Sequence, residues 1–119
     1  MKIFAISLIL LTITVALVLV NVSYVKSTTD NLLSLAKDVR ADPCEKTVGR
    51  LAECWDRHRS VLALSVSLRD IDSVTENLLN LKTACLEKNE WLVEQSYSLF
   101  CNALEDIRRY ETLSVLNIF

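Results

Sequence analysis

The side chains of this sequence that could take part either in metal binding or in disulfide formation are its four cysteines, Cys44, Cys54, Cys85 and Cys101. They contain no Cys-x-x-Cys pair, and the chain has a single histidine, His58. Because tetrahedral zinc sites normally include at least one closely spaced pair of ligands, this spacing argues against a metal site. Two interpretations remain open, which are a structural disulfide and free thiols that behave as small buried apolar residues.

Helix geometry favours one disulfide pairing, between Cys44 and Cys101. If the chain turns near Arg59 and Lys88, each of these two cysteines lies about 20–22 Å from its turn at a rise of 1.5 Å per residue. They then reach nearly the same height, whereas the other two cysteines lie at opposite ends and cannot pair with each other.

The remaining polar residues do not form a recognisable catalytic set. Asp72 and Glu76 share a helical face and Asp70 does not, and the Glu-x-x-His motifs of a di-metal bundle are missing from the sequence. With Gly49 as its one glycine, the chain cannot form a Gly-rich phosphate loop. We therefore predict a protein that is not an enzyme and has no cofactor.

Length and charge narrow the class of protein further. The 119 residues are enough for one domain. After Ser27 there are 11 lysines and arginines against 15 aspartates and glutamates, a net charge of −4. Since nucleic-acid binding needs a basic surface, this balance argues against a nucleic-acid partner.

The amino-terminal part of the sequence is the most distinctive. The run Ile3–Val20 is apolar apart from three hydroxyl residues, and no charge occurs between Lys2 and Lys26. About 20 such residues in a helix cross a hydrocarbon layer about 30 Å thick. The sequence therefore predicts a transmembrane anchor over residues 1–25 and a helical domain over residues 26–119.

A cleaved signal peptide is the alternative to an uncleaved anchor. Its apolar region is usually about 7–15 residues long and ends in a small-residue cleavage site. The run here is longer, and Val25-Lys26-Ser27 is the best candidate for cleavage, although a weak one. We favour the anchor, in a single-pass cell-membrane protein with its domain outside the cytoplasmic membrane, although the Lys/Arg bias that sets orientation is small.

Apolar residues recur at steps of three and four beyond Lys26, which indicates helices. The first segment ends near Asp42-Pro43, and the second runs from there to Arg59. The third covers about Ser60–Glu87, with Val61, Leu64 and Leu68 in its apolar stripe; a kink at Ser67 and fusion of the second and third segments both stay open. The fourth follows Asn89. Short loops make such helices antiparallel neighbours, so we expect an all-α fold, in which a transmembrane helix continues into a small antiparallel bundle of three to four helices.

Basic residues are expected to gather at the end of this bundle nearest the membrane. Anionic headgroups attract lysine and arginine near a bilayer surface, which makes membrane lipid a predicted partner. The alternative is compensation of helix-end charges, with His58 capping carbonyl groups. The residues predicted to face lipid are Lys26, Arg57, His58, Arg59, Arg108 and Arg109.

Two further features suggest another membrane protein as a partner. Ser7, Thr14 and Asn21 recur every seven residues, and polar residues on one face can mediate helix association in lipid; hydroxyl groups bonded to their own backbone are the alternative. The apolar tail Leu113–Phe119 is expected to dock on the bundle or on a partner, because free termini usually fray.

Several stretches of the sequence resemble one family. They are the apolar start followed by Thr28-Thr29-Asp30, the helix of Trp55, the stretch Leu68–Asp72 and the closing stretch Glu111–Phe119. Together they resemble a family of small clostridial-type proteins known as domain of unknown function 4363. The chain departs from the pattern at Arg69 and in its four cysteines.

The resemblance implies a bacterial, membrane-anchored, helical protein and carries no functional residues. Two expectations about function follow from the whole sequence. The first is a non-enzymatic interaction or scaffold module that acts on a neighbouring membrane protein. The second is a secreted helical protein, released by signal-peptide cleavage, with a structural role and a disulfide.

Overall fold

The computed structural model of the chain consists of four helices, and it describes the backbone of residues 1–118 and the side chains of residues 1–110. In chain order the helices are α1 (Lys2–Ala41), α2 (Glu45–Leu62), α3 (Leu68–Glu87) and α4 (Glu90–Ile118). No strand occurs within the described residues. The expectation of an all-α fold, with a long apolar helix leading into a bundle, is confirmed.

Helix α1 is unbroken over 40 residues, a length of about 60 Å at 1.5 Å per residue. It passes Lys26 without a break, so the apolar run and the first bundle helix are one element. It ends where the sequence predicts, since Asp42 precedes Pro43 and its backbone is not helical, with φ −141° and ψ 80°. A residue before proline avoids helical geometry.

The break between α2 and α3 lies later than the sequence predicts. A helix end near Arg59 and a third helix from Ser60 are both wrong, because α2 continues to Leu62, which is fully buried. The open alternative of a new start at Ser67 is the one observed. Its hydroxyl accepts a hydrogen bond from the amide of Asp70 at 3.2 Å, as an N-cap residue does. Burial of Leu62 outweighs the stop signal of the preceding cations.

The turn between α3 and α4 lies at the predicted place. Lys88 adopts a left-handed conformation with φ 55°, and the amide of Asn89 donates to the carbonyl of Ala84 at 3.3 Å. The side chain of Asn89 then accepts from the amide of Leu92 at 3.3 Å. One residue therefore closes α3 and the next opens α4, which makes the two helices antiparallel.

The helices form an up-down-up-down bundle around one core. Each helix contacts the next along the chain and α4 returns to α1, while α2 and α4 lie diagonally and make no contact within the described residues. Trp55 is fully buried, and its indole N–H donates to the hydroxyl of Thr75 at 2.9 Å. The other large side chains that are fully buried are Phe100, Leu32, Leu51, Leu62, Leu81, Leu104 and Ile107.

Candidate functional site

The first half of α1 projects from the bundle and exposes apolar side chains. Ile3, Leu10 and Leu17 are 81%, 59% and 65% exposed. The most apolar 18-residue window of α1 has a mean hydropathy of 3.0 and no buried residue. Among the described residues, α1 is the one helix long and apolar enough to cross a membrane, and a signal sequence would have the same properties.

One face of this half is partly covered, and its hydroxyl groups are bonded within the helix. Val15 and Val18 are of intermediate exposure. The hydroxyl of Thr14 donates to the carbonyl of Leu10 at 2.9 Å, and the hydroxyl of Thr12 donates to the carbonyl of Leu8 at 2.9 Å. Thr14 therefore follows the alternative named above: its hydroxyl is bonded to the backbone of its own helix rather than to a partner helix.

The junction between the apolar run and the bundle is held by Tyr24 and His58. The phenol oxygen lies 2.8 Å from Nδ1 of His58, and the two rings meet edge to face with centroids 5.9 Å apart. The expectation that His58 caps a helix end is wrong, because α2 continues past it and its ring is turned towards α1. The sequence offered no sign of this long-range pair.

Each arginine predicted to face lipid has a carboxylate partner on the bundle. Arg57 pairs with Glu53 at 3.4 Å and Arg59 with Asp56 at 4.0 Å, both within α2. On α4, Arg109 reaches Asp106 at 3.8 Å, and Arg108 crosses to Asp30 of α1 at 3.1 Å. The side chains of these pairs are 35–74% exposed. Such exposed pairs contribute about 0–1 kcal/mol, so a lipid phosphate can compete for the guanidinium groups.

The corner between α2 and α3 exposes three residues of the apolar stripe that was predicted for the third helix. Val61 is 48% exposed, Leu64 is 86% exposed and Leu68 is 70% exposed. Leu62 and Val66, which alternate with them, are buried and hold the corner against the core. Their exposure follows from the position of the helix break. Because α2 ends at Leu62 and α3 begins at Leu68, the three residues are not on one continuous helix and face outwards at the corner.

The cysteines are all free thiols, and the predicted Cys44–Cys101 bridge is not formed. A disulfide needs its two Cα atoms within about 7 Å. Cys44 directly precedes α2, whereas Cys101 is on α4, the helix diagonal to it. The pairing was predicted from the equal height of the two cysteines along the bundle, and equal height is not sufficient to bring them together.

The four thiols differ in acidity. Cys44 is the N-cap of α2 and is of intermediate exposure; hydrogen bonds from the amide and hydroxyl of Thr47 lower its pKa. Burial raises the pKa of the thiols of Cys54, Cys85 and Cys101. A low pKa together with access makes a thiol reactive, so we expect Cys44 to be the most reactive of the four.

At the far end of the bundle, apolar residues are also exposed. Leu79 and Leu86 on α3 are 61% and 56% exposed, and Trp91, at the start of α4, is 69% exposed. Trp91 is thus a surface residue, in contrast to the buried Trp55. These three residues, Leu79, Leu86 and Trp91, are the distal patch.

An open groove with a polar lining lies beside the α2–α3 corner. It is lined by Ser65, Ser67 and Arg69 on one side and by Asp106 and Tyr110 of α4 on the other. Its arginine is balanced by acidic neighbours, and no histidine or cysteine faces it. Within the described residues no cluster of three or more histidine, cysteine, aspartate or glutamate side chains could hold a metal ion.

Comparison with known proteins found no family model, curated protein or solved structure that matches this chain. The resemblance to domain of unknown function 4363 therefore rests on the residues named above. The side chains of its closing stretch, and with them the predicted docking of the tail Leu113–Phe119, lie outside the described residues.

Proposed function

We propose that the chain is a single-pass membrane protein whose helical domain acts, without catalysis, as an interaction or scaffold module for a neighbouring membrane protein. The observation that carries this proposal is the contrast within α1. Its apolar half has no buried residue, and its second half is a wall of the bundle. A membrane would cover the first half and hold the second at a fixed height.

Retention of the apolar half is favoured over its cleavage. The candidate cleavage site, Val25-Lys26-Ser27, lies inside a continuous helix, and Val25 is 1% exposed. Thr28 and Thr29 directly after it are buried as well. Cleavage would also remove Tyr24, the partner of His58. A secreted form would therefore lose part of its own core, which weighs against the second expectation.

The distal patch supports an interaction role. Leu86 and Trp91 flank the same α3–α4 turn, and Leu79 is two helical turns below Leu86. Aromatic side chains are enriched where proteins bind one another. The surface lies on the side of the bundle away from the apolar half of α1, where a domain held at a membrane would present it to a neighbouring protein.

Membrane retention is tested by expressing the full chain in bacteria and washing the membranes with alkaline carbonate. We expect the protein in the washed membranes, with an intact mass that includes Met1–Val25. A soluble protein whose mass begins near Lys26 or Ser27 would instead establish the secreted form. Labelling Cys44 on intact cells with a membrane-impermeant maleimide tests whether the domain is outside.

The interaction role is tested by photocrosslinking from the distal patch in those membranes. A photoreactive residue at Leu86 should give a discrete crosslinked product. One at Asn80, an exposed polar site about 100° or more around the same helix from Leu79 and Leu86, should not. Equal products from both sites would show that the patch has no preferred partner.

A further inference from the structure

We infer that the α2–α3 corner is inserted in the membrane surface beside the span of α1, with Val61, Leu64 and Leu68 entering the lipid. These three residues are called the foot. The inference rests on the proposed function, since it requires that α1 crosses the membrane. It adds a second point of contact, made by a part of the domain far from the span in sequence.

The height of the foot follows from the contact between Tyr24 and His58. Because α2 runs antiparallel to α1, each residue after His58 lies closer to the start of α1. Leu62 is four residues beyond His58, which is about 6 Å along the helix. It therefore lies near the level of Val20, the last residue of the apolar run. With that run in the hydrocarbon layer, the corner lies where acyl chains meet headgroups.

The exposure of the foot is what this position requires. Leu62 and Val66 fix the corner to the core, so Leu64 between them points away from the bundle. Turns between helices are ordinarily polar where they face water, and here the tip of the turn is a leucine that is 86% exposed. Insertion into the bilayer surface would transfer these apolar side chains from water to an apolar medium, which is favourable.

Cations around the foot complete an arrangement suited to a membrane interface. Arg57 and Arg59 lie about one turn above it on α2, and Arg69 follows Leu68 directly. Interfacial segments place apolar side chains in the acyl boundary and basic ones at the phosphates, and long arginine side chains can extend towards the headgroups. The exposed ion pairs of Arg57 and Arg59 with Glu53 and Asp56 leave these guanidinium groups able to exchange partners.

The distal patch contrasts with the foot in position rather than in chemistry. Leu68 and Leu79 are on the same helix and are 70% and 61% exposed, but they are about 16 Å apart along it. A bilayer at the level of Val20 would reach the first and leave the second in water. The pair is therefore a matched probe and control.

The test is depth-dependent fluorescence quenching in vesicles that contain the full chain. Tryptophan is introduced by Leu64→Trp, Leu68→Trp or, as the control, Leu79→Trp, and the emission of Trp55 and Trp91 is subtracted with the unsubstituted chain. The vesicles contain dibrominated phosphatidylcholine, with or without phosphatidylglycerol. Circular dichroism checks that each variant keeps its helix content, as expected for substitutions at exposed sites.

At an insertion depth of about 5–10 Å, we expect the added emission of Leu64→Trp and Leu68→Trp to be blue-shifted and reduced by about half. The emission of Leu79→Trp should stay unquenched. Stronger quenching at the foot than at Leu79 in either lipid composition supports the inference. Equal quenching at all three sites in both compositions overturns it, and a foot that contacts a protein instead would give this result.

Failure of the inference can be told from failure of the proposed function. Flotation of the same vesicles reports whether the chain is anchored at all. If it floats while the foot is unquenched, the inference alone is overturned. If it does not float, the proposed membrane span fails, and the foot fails with it.

Discussion

The two halves of α1 share one helix and differ in what covers them. Over Ile3–Val20 apolar side chains point in every direction, and none of them is buried. From Val25 onwards, the buried positions recur at steps of three and four, through Leu32, Ala36 and Val39. A helix that is apolar all round needs a covering on all sides, whereas one with a single apolar stripe needs one neighbour. The bundle supplies that neighbour to the second half only.

The contrast explains why the helix has no break at the boundary. Backbone hydrogen bonding is satisfied within a helix in lipid and in protein alike, so a change of surroundings needs no change of backbone. Only the side-chain pattern changes, close to Tyr24 and Lys26. One rigid element can therefore carry a span directly into a folded domain.

The largest effect is expected from arginine in the bundle half, with Leu32→Arg. Leu32 is fully buried, and an unpaired charge at a core position destabilises a fold by more than about 4 kcal/mol. Chemical denaturation followed by circular dichroism should show loss of cooperative unfolding, with the protein still in the membrane fraction. A variant as stable as the original chain would contradict the burial of this position.

The same substitution in the apolar half should do the opposite. Leu10 is 59% exposed, so Leu10→Arg leaves the bundle intact, but arginine in place of leucine near the middle of a span disfavours membrane insertion by about 3–4 kcal/mol. Carbonate extraction should move the variant from the membrane to the soluble or aggregated fraction, while Leu10→Ile behaves as the original chain. Loss of bundle stability in Leu10→Arg would show that the halves are not independent.

Sequence patterns predicted the parts of this contrast that depend on local chemistry. The apolar run, the end of α1 before Pro43 and the turn at Lys88-Asn89 each follow from a few adjacent residues. The break before Leu68 could not be placed in this way, because the periodicity of Val61 and Leu64 continues through it and only burial of Leu62 and Val66 decides. The foot was therefore missed, because its residues were interpreted as part of the apolar stripe of a third helix that begins at Ser60.

Pairs between distant residues were beyond prediction for a different reason. Tyr24 and His58 are 34 residues apart, and nothing in either local pattern specifies the other. The Cys44–Cys101 pairing was ranked on height alone, and height does not say which helices are diagonal. Both cases depend on the order of helices around the core, which is a property of the whole fold.

A smaller effect is expected at the junction of the halves, from Tyr24→Phe. The substitution removes the hydroxyl that meets Nδ1 of His58 at 2.8 Å, and a single hydrogen bond contributes about 0.5–1.5 kcal/mol. The free energy of unfolding should fall by that amount, with membrane retention unchanged. Tyr110→Phe, at an exposed tyrosine, is the control and should change stability by less than about 0.5 kcal/mol. An equal loss of unfolding free energy in both variants would show that the hydrogen bond between Tyr24 and His58 does not stabilise the fold.

The smallest change, in reactivity rather than stability, is expected at Cys44, which lies beyond the end of α1 opposite to the proposed span. Val20 and Ala41 are about 32 Å apart along α1, so Cys44 should remain in water when the chain is in a bilayer. Because hydrogen bonds from Thr47 lower its pKa, its thiolate fraction and its alkylation rate should rise with pH with a midpoint below the ordinary pKa of cysteine. Cys85 is 4% exposed and has a raised pKa, so it should react about tenfold or more slowly, through local opening of the fold. Mass spectrometry of the full chain in vesicles, alkylated over a range of pH, measures both rates.

Thr47→Val should slow the reaction of Cys44 and leave that of Cys85 unchanged. Protection of Cys44 by the bilayer would instead mean that the bundle lies along the membrane and that the two halves of α1 share one environment.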